Sequence, residues 1–483
     1  MDKNILHRNL AHFALTFVLF SILLSGGRNK DISTKAILPT PAAPEIAQDN
    51  RQIYLPIMLR LLPQTPTIFG VETHQFNTPN ITLIKNASAY WGRYQTLSWA
   101  DIEPVRTSPP TYHWETVDEA GLAAAAANKV KVIAIVKYTP LWAQKIPGKY
   151  CGPVASGALD EFAEFLQAAV ARYRAWPYYV KYWELGNEPD VDPALLTDPW
   201  SPFGCWGDNS DRNYGGGYYA TMLKAAYPAI KAADPEAQVI VGGLLLDCDP
   251  ANPPPGKNCR PGRFIDGILA NQGGAYFDYL GFHGYGYYGS GLINDAGNWA
   301  ARGGVILGKI QYLRERMALY GVNKPLFLTE TSLICPVDNV SQCASDGAFL
   351  EKQADYVSWA FLRAWAEGVK GATWYTVEES GWRSSGLSSP IGPKPAYYAY
   401  QFAAAKLSEM ALSAPVTQYA GLKGYEFRAS GKRTWVLWAG DQVDHAIPLP
   451  PGTLQVWDKY GNVIQPSNGQ IIVNSPIYID LVP

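Results

Sequence analysis

Eight short apolar runs alternate with segments of helical periodicity, and this rhythm limits what the chain can fold into more than any other feature. The runs are Thr67–Glu72, Tyr94–Trp99, Val130–Lys137, Tyr178–Leu185, Gln238–Leu244, Tyr279–His283, Pro325–Glu330 and Ala372–Val377. Runs such as VKVIAIV are nearly continuous in apolar residues, the pattern of parallel strands covered on both faces. Between the runs, Leu159, Phe162, Phe165, Leu166, Ala169, Val170 and Tyr173 fall on one helical face. Ile306, Ile310, Leu313 and Met317 fall on another, and a third helical pattern covers Phe349 to Trp365. Strand then helix, eight times over, predicts a (β/α)8 TIM barrel across residues 66–410. The competing arrangement is a doubly wound open sheet, but no Gly-x-Gly-x-x-Gly turn follows an early strand.

The rhythm changes at both ends. After residue 410 the stretches are short and alternating, divided by Ser430-Gly431, Pro450-Pro451-Gly452, Gly461-Asn462 and Asn468-Gly469. This predicts a small β-sandwich over residues 411–483, an accessory domain packed on the barrel. At the start, Lys3, His7 and Arg8 precede an apolar run from Phe13 to Leu24. That run is shorter than the ~20 residues of a membrane span. It predicts a signal peptide over residues 1–27, or an N-terminal membrane anchor if uncleaved. Residues 28–65 are Pro-rich and polar and read as a linker. The expected location is secreted or extracytoplasmic. The six cysteines agree with export: none forms a Cys-x-x-Cys pair, which argues against a zinc site. Sequence proximity pairs Cys248 with Cys259 and Cys335 with Cys343, leaving Cys151 with Cys205. With 40 basic and 42 acidic residues and no basic stripe, nothing favours a nucleic-acid partner. The 16 tryptophans and 30 tyrosines supply what a sugar cleft needs, flat rings on which pyranose faces stack.

The chemistry is expected where strands four and seven end. YWELGNEPD places Glu184 within the fourth run and Glu188 just beyond it, and KPLFLTETSL ends the seventh run on Glu330. Loops at the C-terminal ends of barrel strands form the active-site mouth, and strands four and seven of eight lie nearly opposite. Two facing carboxylates suffice for glycoside hydrolysis, one protonating the leaving oxygen and the other attacking the anomeric carbon. Structural roles compete for each glutamate alone, as a helix cap or an arginine partner. A metal is not expected, because the six histidines are scattered, and no cofactor is expected.

WELGNEP with LTETS resembles the retaining glycoside hydrolases of clan A across the whole barrel, most of all families 39 and 5. GFHGYGYY resembles the His-x-Tyr of that clan's sixth strand, and ATWYTVEES its eighth-strand tryptophan. The resemblance implies an acid/base at Glu188 and a nucleophile at Glu330, with an oligosaccharide or polysaccharide as substrate. It implies sugar contacts from Asn187, His283, Tyr285 and Trp374, with Tyr285 also placed to donate to Glu330. Packing roles compete for His283, Tyr285 and Trp374. Trp142 and Trp382, on mouth loops, are candidate outer sugar platforms, and Glu378 and Glu379 are rival carboxylates. Arg93 is assigned no role. Two other classes stand against the enzyme: a carbohydrate-binding barrel without catalysis, and a cell-surface structural protein.

Overall fold

The computed structural model describes residues 67–289, 298–336, 340–378 and 381–483. The expected signal peptide and linker, and Glu379, lie outside the described residues. Strands β1 (Phe69–Thr73), β2 (Trp91–Ser98), β3 (Lys131–Lys137), β4 (Tyr182–Leu185), β5 (Gln238–Leu244), β6 (Tyr279–Tyr287), β7 (Leu326–Ile334) and β8 (Ala372–Trp374) close into a barrel in sequence order. All neighbouring pairs are parallel, and β8 pairs back to β1. The helices that follow the strands in turn are α1 (Thr78–Asn86), α2 (Glu119–Ala127), α3 (Leu159–Tyr173), α4 (Gly216–Ala233), α5 (Phe264–Ala270), α6 (Val305–Leu319), α7 (Gly347–Ala366) and α8 (Pro395–Leu407). The doubly wound sheet is thereby excluded.

Helix α3 buries Leu159, Phe162, Phe165, Leu166, Ala169, Val170 and Tyr173, the face that the periodicity selects. Among the described residues no helix is long and apolar enough to cross a membrane. Side chains alternate across each strand, so one set meets the helices and the other fills the barrel. Trp91, Ile133, Ile240 and Phe327 form an apolar cluster apart from the main helix-facing core, with Tyr182 and Tyr279 against it. They are the floor of the barrel interior; Trp91 meets Tyr182 edge-on at 4.9 Å and Phe327 at 5.2 Å. Two residues on, the same inward positions of β2 and β4 carry Arg93 and Glu184, so the interior turns from aromatic to ionic toward the mouth.

The C-terminal region holds a five-stranded antiparallel sheet and a two-stranded one. The larger contains Ala411–Pro415, Leu422–Ala429, Lys432–Ala439, Ile477–Leu481 and Thr453–Asp458, in that order. The smaller pairs His445–Pro448 with Gln470–Val473. Leu437, Ile477 and Ile479 of the larger sheet share a buried cluster with Ile447, Ile471 and Val473 of the smaller. Phe427, Val436, Trp438 and Tyr478 belong instead to the barrel's core. Three disulfides, Cys151–Cys205, Cys248–Cys259 and Cys335–Cys343, are the pairs expected from spacing, and all six cysteines are used.

Candidate active site

The mouth is organised around Arg93, a residue that the sequence reading left without a role. It is fully buried at the middle of β2. Its Nε and Nη2 donate to the two oxygens of Glu184 at 2.7 and 2.9 Å, a fork-on-fork pairing. Nη2 also donates to Asn187 Oδ1 at 2.7 Å. Nη1 donates to Glu72 on β1 and to Glu330 on β7, both at 2.5 Å. One guanidinium thus orients three carboxylates, from β1, β4 and β7, and the amide of Asn187 just beyond β4. The legible signal was an ionisable residue within a stretch buried on every side, since such charges persist only when paired.

Glu330 receives a second donor, the phenol of Tyr285, as expected. Glu188 lies across from it, beyond β4. The backbone there is unusual: Gly186 has φ +90° and Glu188 φ +49°, the left-handed region that non-glycine residues seldom occupy. The Glu188 amide donates to Gly243 O at 3.0 Å, fastening the turn to β5. Strain of this kind gathers at functional positions. His283 Nδ1 lies 2.8 Å from Glu188 Oε1 and 3.4 Å from Glu330 Oε2. One ligand atom from each of these three residues lies within 4.8 Å of the others, so the two carboxylates face one another closely. The histidine needs Gly243 beside it: a Cβ there would sit 2.1 Å from His283 Nε2.

The electrostatics separate the pair. Burial raises the Glu188 carboxyl well above its ordinary range, and the charges of Glu330 and Asp190 push the same way. Burial also raises Glu330, but the Arg93 charge and the hydrogen bonds from Tyr285 and Arg93 pull it back. Glu330 is therefore the more acidic member. Burial, then Arg93 and Lys309, hold His283 well below its usual value, so the ring is neutral. Below Glu188, Asp190 accepts from the amides of Leu245 and Leu246 at 2.8 Å each and is raised to about 6, chiefly by burial.

Several expectations are corrected. Trp374 is fully buried and its indole donates to Ser385 O at 2.8 Å, so it presents no face to a sugar. The ring toward the site is the next one: Tyr375 lies 6.2 Å from Tyr285 and 6.0 Å from His74. His283 is 0 % exposed and its Nδ1 lies 2.8 Å from Glu188 Oε1, the structural role that competed for it. Trp142 donates to Glu103 O at 3.0 Å and packs edge-on against buried Trp99, with Arg106 over its ring, so it joins the core beside the mouth. Glu378 is tied to the β1 loop through Thr73 and the His74 amide. Asn187 stays at the site, its Nδ2 donating to Pro202 O at 3.1 Å. Trp382 is exposed, with its ring 5.5 Å from that of Tyr285.

No family model matches the sequence, and no curated protein does. The fold does find neighbours. The chain is similar to a family 39 glycoside hydrolase from the gut symbiont Bacteroides cellulosilyticus WH2, with a TM-score of 0.64 at 18% identity over 86% of this chain and 81% of that one. It is similar to a GH30 endoxylanase from Clostridium papyrosolvens C71, with a TM-score of 0.54 at 12% identity over 87% and 98%. A family 51 α-L-arabinofuranosidase from Bifidobacterium longum aligns with a TM-score of 0.53 at 12% identity over 88% and 97%. These neighbours are glycoside hydrolases of clan A, and their eight-stranded parallel barrel is the fold of this chain.

Proposed function

We propose that the protein is a retaining glycoside hydrolase that cleaves a saccharide by double displacement, with Glu330 as nucleophile and Glu188 as acid/base. The observation that carries this reading is the close facing of two carboxylates in opposed environments, with oxygens within 4.8 Å of one another. Retaining enzymes hold their carboxyl groups about 5–5.5 Å apart, while inverting enzymes leave about 6.5–9.5 Å for a water.

The chemistry follows from the surroundings of each group. Glu330, held toward its ionised form by Arg93 and Tyr285, attacks the anomeric carbon. The bond to the leaving oxygen breaks as Glu188 gives that oxygen its proton. His283 decides which Glu188 oxygen carries the proton. Its Nε2 has no partner among the described residues, and a buried N–H without an acceptor costs about 1–3 kcal/mol. The ring hydrogen therefore sits on Nδ1, facing both glutamates, and donates to Glu188 Oε1, leaving Oε2 to hold the acidic proton. In the second step Glu188 takes a proton from water. The water oxygen bonds to the anomeric carbon and displaces Glu330 with overall retention. Asn187, with one amide hydrogen left after Pro202, is placed to meet the sugar 2-hydroxyl. Three disulfides favour an extracytoplasmic location.

Azide rescue tests the assignment. Glu188→Ala is expected to form the glycosyl-enzyme from an activated aryl glycoside and then stall, and azide then yields a glycosyl azide of retained configuration. Glu330→Ala blocks the first step, and azide in the vacated space yields the inverted product. Exchanged stereochemistry would exchange the roles; near wild-type turnover of an unactivated glycan by both variants would remove the enzyme reading.

A further inference from the structure

We propose that Trp200, with Tyr138 and Lys137, forms a binding subsite for a pyranose unit adjoining the sugar held between Glu188 and Glu330, so that the substrate is a saccharide chain. This deepens the glycosidase reading and rests on it.

The subsite is built across the loops that leave β3 and β4. Trp200 is 39% exposed, yet it does not swing freely. Tyr150 stacks on it, centroids 3.7 Å apart with planes 12° from parallel, and Tyr138 meets it edge-on at 5.2 Å. Its backbone is held too: Tyr138 Oη donates to Trp200 O at 3.2 Å, and the Cys151 amide to Pro199 O at 3.3 Å. Lys149 Nζ donates to Leu196 O at 2.5 Å, and Cys151–Cys205 joins the two loops covalently. A large ring fixed before binding loses little conformational entropy when a ligand arrives, so the part of Trp200 left open beside Tyr150 and Tyr138 is an efficient platform. A flat apolar face matches the C–H face of a pyranose.

The platform is continuous with the catalytic centre. Two residues beyond Trp200, Pro202 O accepts from both Asn187 Nδ2 and Lys137 Nζ, each at 3.1 Å. Lys137 shares the inward side of β3 with Ile133, so it points into the mouth. Its ammonium also donates to Gln95 Oε1 at 3.2 Å and lies 4.6 Å from the centre of the Tyr138 ring. Both recorded acceptors are neutral, and one of its three N–H bonds remains for a sugar hydroxyl. From Asn187 outward the order is therefore amide, ammonium, then aromatic face. A pyranose offers the same sequence, a polar rim around an apolar face.

The test uses the full chain. Retardation on native gels containing each of a panel of polysaccharides measures binding without cleavage. A panel of aryl glycosides identifies the sugar cleaved, and oligosaccharides of that sugar give the dependence of kcat/KM on chain length. Wild-type protein is expected to be retarded by at least one polysaccharide and to gain in kcat/KM with length. Trp200→Ala is expected to lose the retardation and raise KM for the oligosaccharides about 10-fold, flattening the gain. Trp200→Phe, which keeps a ring for Tyr150, is expected to fall between. Trp176→Ala removes a tryptophan that is 79% exposed between α3 and β4, at the far end of the barrel, and is expected to leave binding and length dependence unchanged. Binding without cleavage of any glycoside would sink the enzyme reading and keep the subsite. Cleavage of aryl glycosides with no polysaccharide retardation, or with the same retardation and length dependence in Trp200→Ala, would overturn the subsite and keep the enzyme.

Discussion

Arg93 is the residue on which the most carboxylates depend, and its removal is expected to show in two ways. It leaves Glu72, Glu184 and Glu330 in a dry site without their cation, and breaking a buried pair costs about 3–5 kcal/mol. Arg93→Met is therefore expected to unfold at markedly lower temperature, as read by calorimetry. Arg93→Lys keeps the charge but cannot serve Glu184 with two parallel bonds, and is expected to recover only part of the loss. Tyr285→Phe is the gentler probe. It removes one donor to Glu330, and losing a hydrogen bond to the ionised form raises a carboxyl's pKa. On the proposed assignment Glu330 then protonates at a higher pH, so the acid limb of the kcat/KM profile is expected to move upward while the alkaline limb, assigned to Glu188, stays. An acid limb that does not move would separate Tyr285 from Glu330. Glu188 and Glu330 stood out as a pair, because carboxylates at the ends of strands four and seven open on one barrel mouth, although either alone could cap a helix or meet an arginine. Glu72 and Tyr375 were not legible, because each sits in a stretch that reads as plain strand; Arg93, one residue before the predicted run Tyr94–Trp99, offered a charge with no partner in view, and only closure of the barrel shows that Glu72, Glu184 and Glu330 converge on it.

At the scale of elements, the strands and helices follow from period. The seven apolar positions of α3 are its buried ones, and the apolar stripe of α6 is buried together with Gly308, Lys309 and Tyr312. Strands β6 and β7 run beyond the predicted ends, to Tyr287 and Ile334, because they pair with each other through the mouth, His283 opposite Glu330 and Tyr285 opposite Ser332. A single run cannot reveal such mutual extension. The disulfides make their own prediction. Cys151–Cys205 spans 54 residues, against 11 and 8 for the other two. Loop-closure entropy grows with span, to roughly 4 kcal/mol for the long bridge and roughly 2.5–3 for the short ones. Replacing Cys151 and Cys205 together with serine is expected to lower the urea midpoint more than replacing either other pair. Titration of the denatured, unreduced protein is expected to find no free thiol; finding six would refute the bridges.

Over the whole molecule, the C-terminal sheet is packed directly onto the barrel. One face meets the small ribbon; the other puts Phe427, Val436, Trp438 and Tyr478 into the barrel's own core. Tyr478 Oη and Ser358 Oγ on α7 are 2.9 Å apart, Lys406 on α8 pairs with Asp480 at 2.6 Å, and Lys459 pairs with buried Asp355 at 2.8 Å. Ending the chain at residue 410 would expose apolar surface on α7 and α8 and leave buried Asp355 with only the longer Lys352 pair at 3.4 Å. Such a truncation is expected to lose cooperative thermal unfolding and to aggregate, as read by light scattering. A soluble truncation with an unchanged Tm would show that the barrel folds alone.

By itself the sequence determined the barrel, its eight strand runs and three of its helical faces, and the cysteine pairs, and it pointed to two glutamates at the ends of strands four and seven. Each of these rests on period, spacing or order along the chain, which are local properties. Tertiary structure alone decided that Arg93 gathers Glu72, Glu184 and Glu330, that His283 serves Glu188, and that Tyr375 rather than Trp374 faces the site. It also decided that Trp142 packs inward while Trp200 stands in water. The reason is geometric. Which way an aromatic ring or a charge points is set by what closes around it, and residues from strands hundreds of positions apart meet only when the eighth strand pairs with the first.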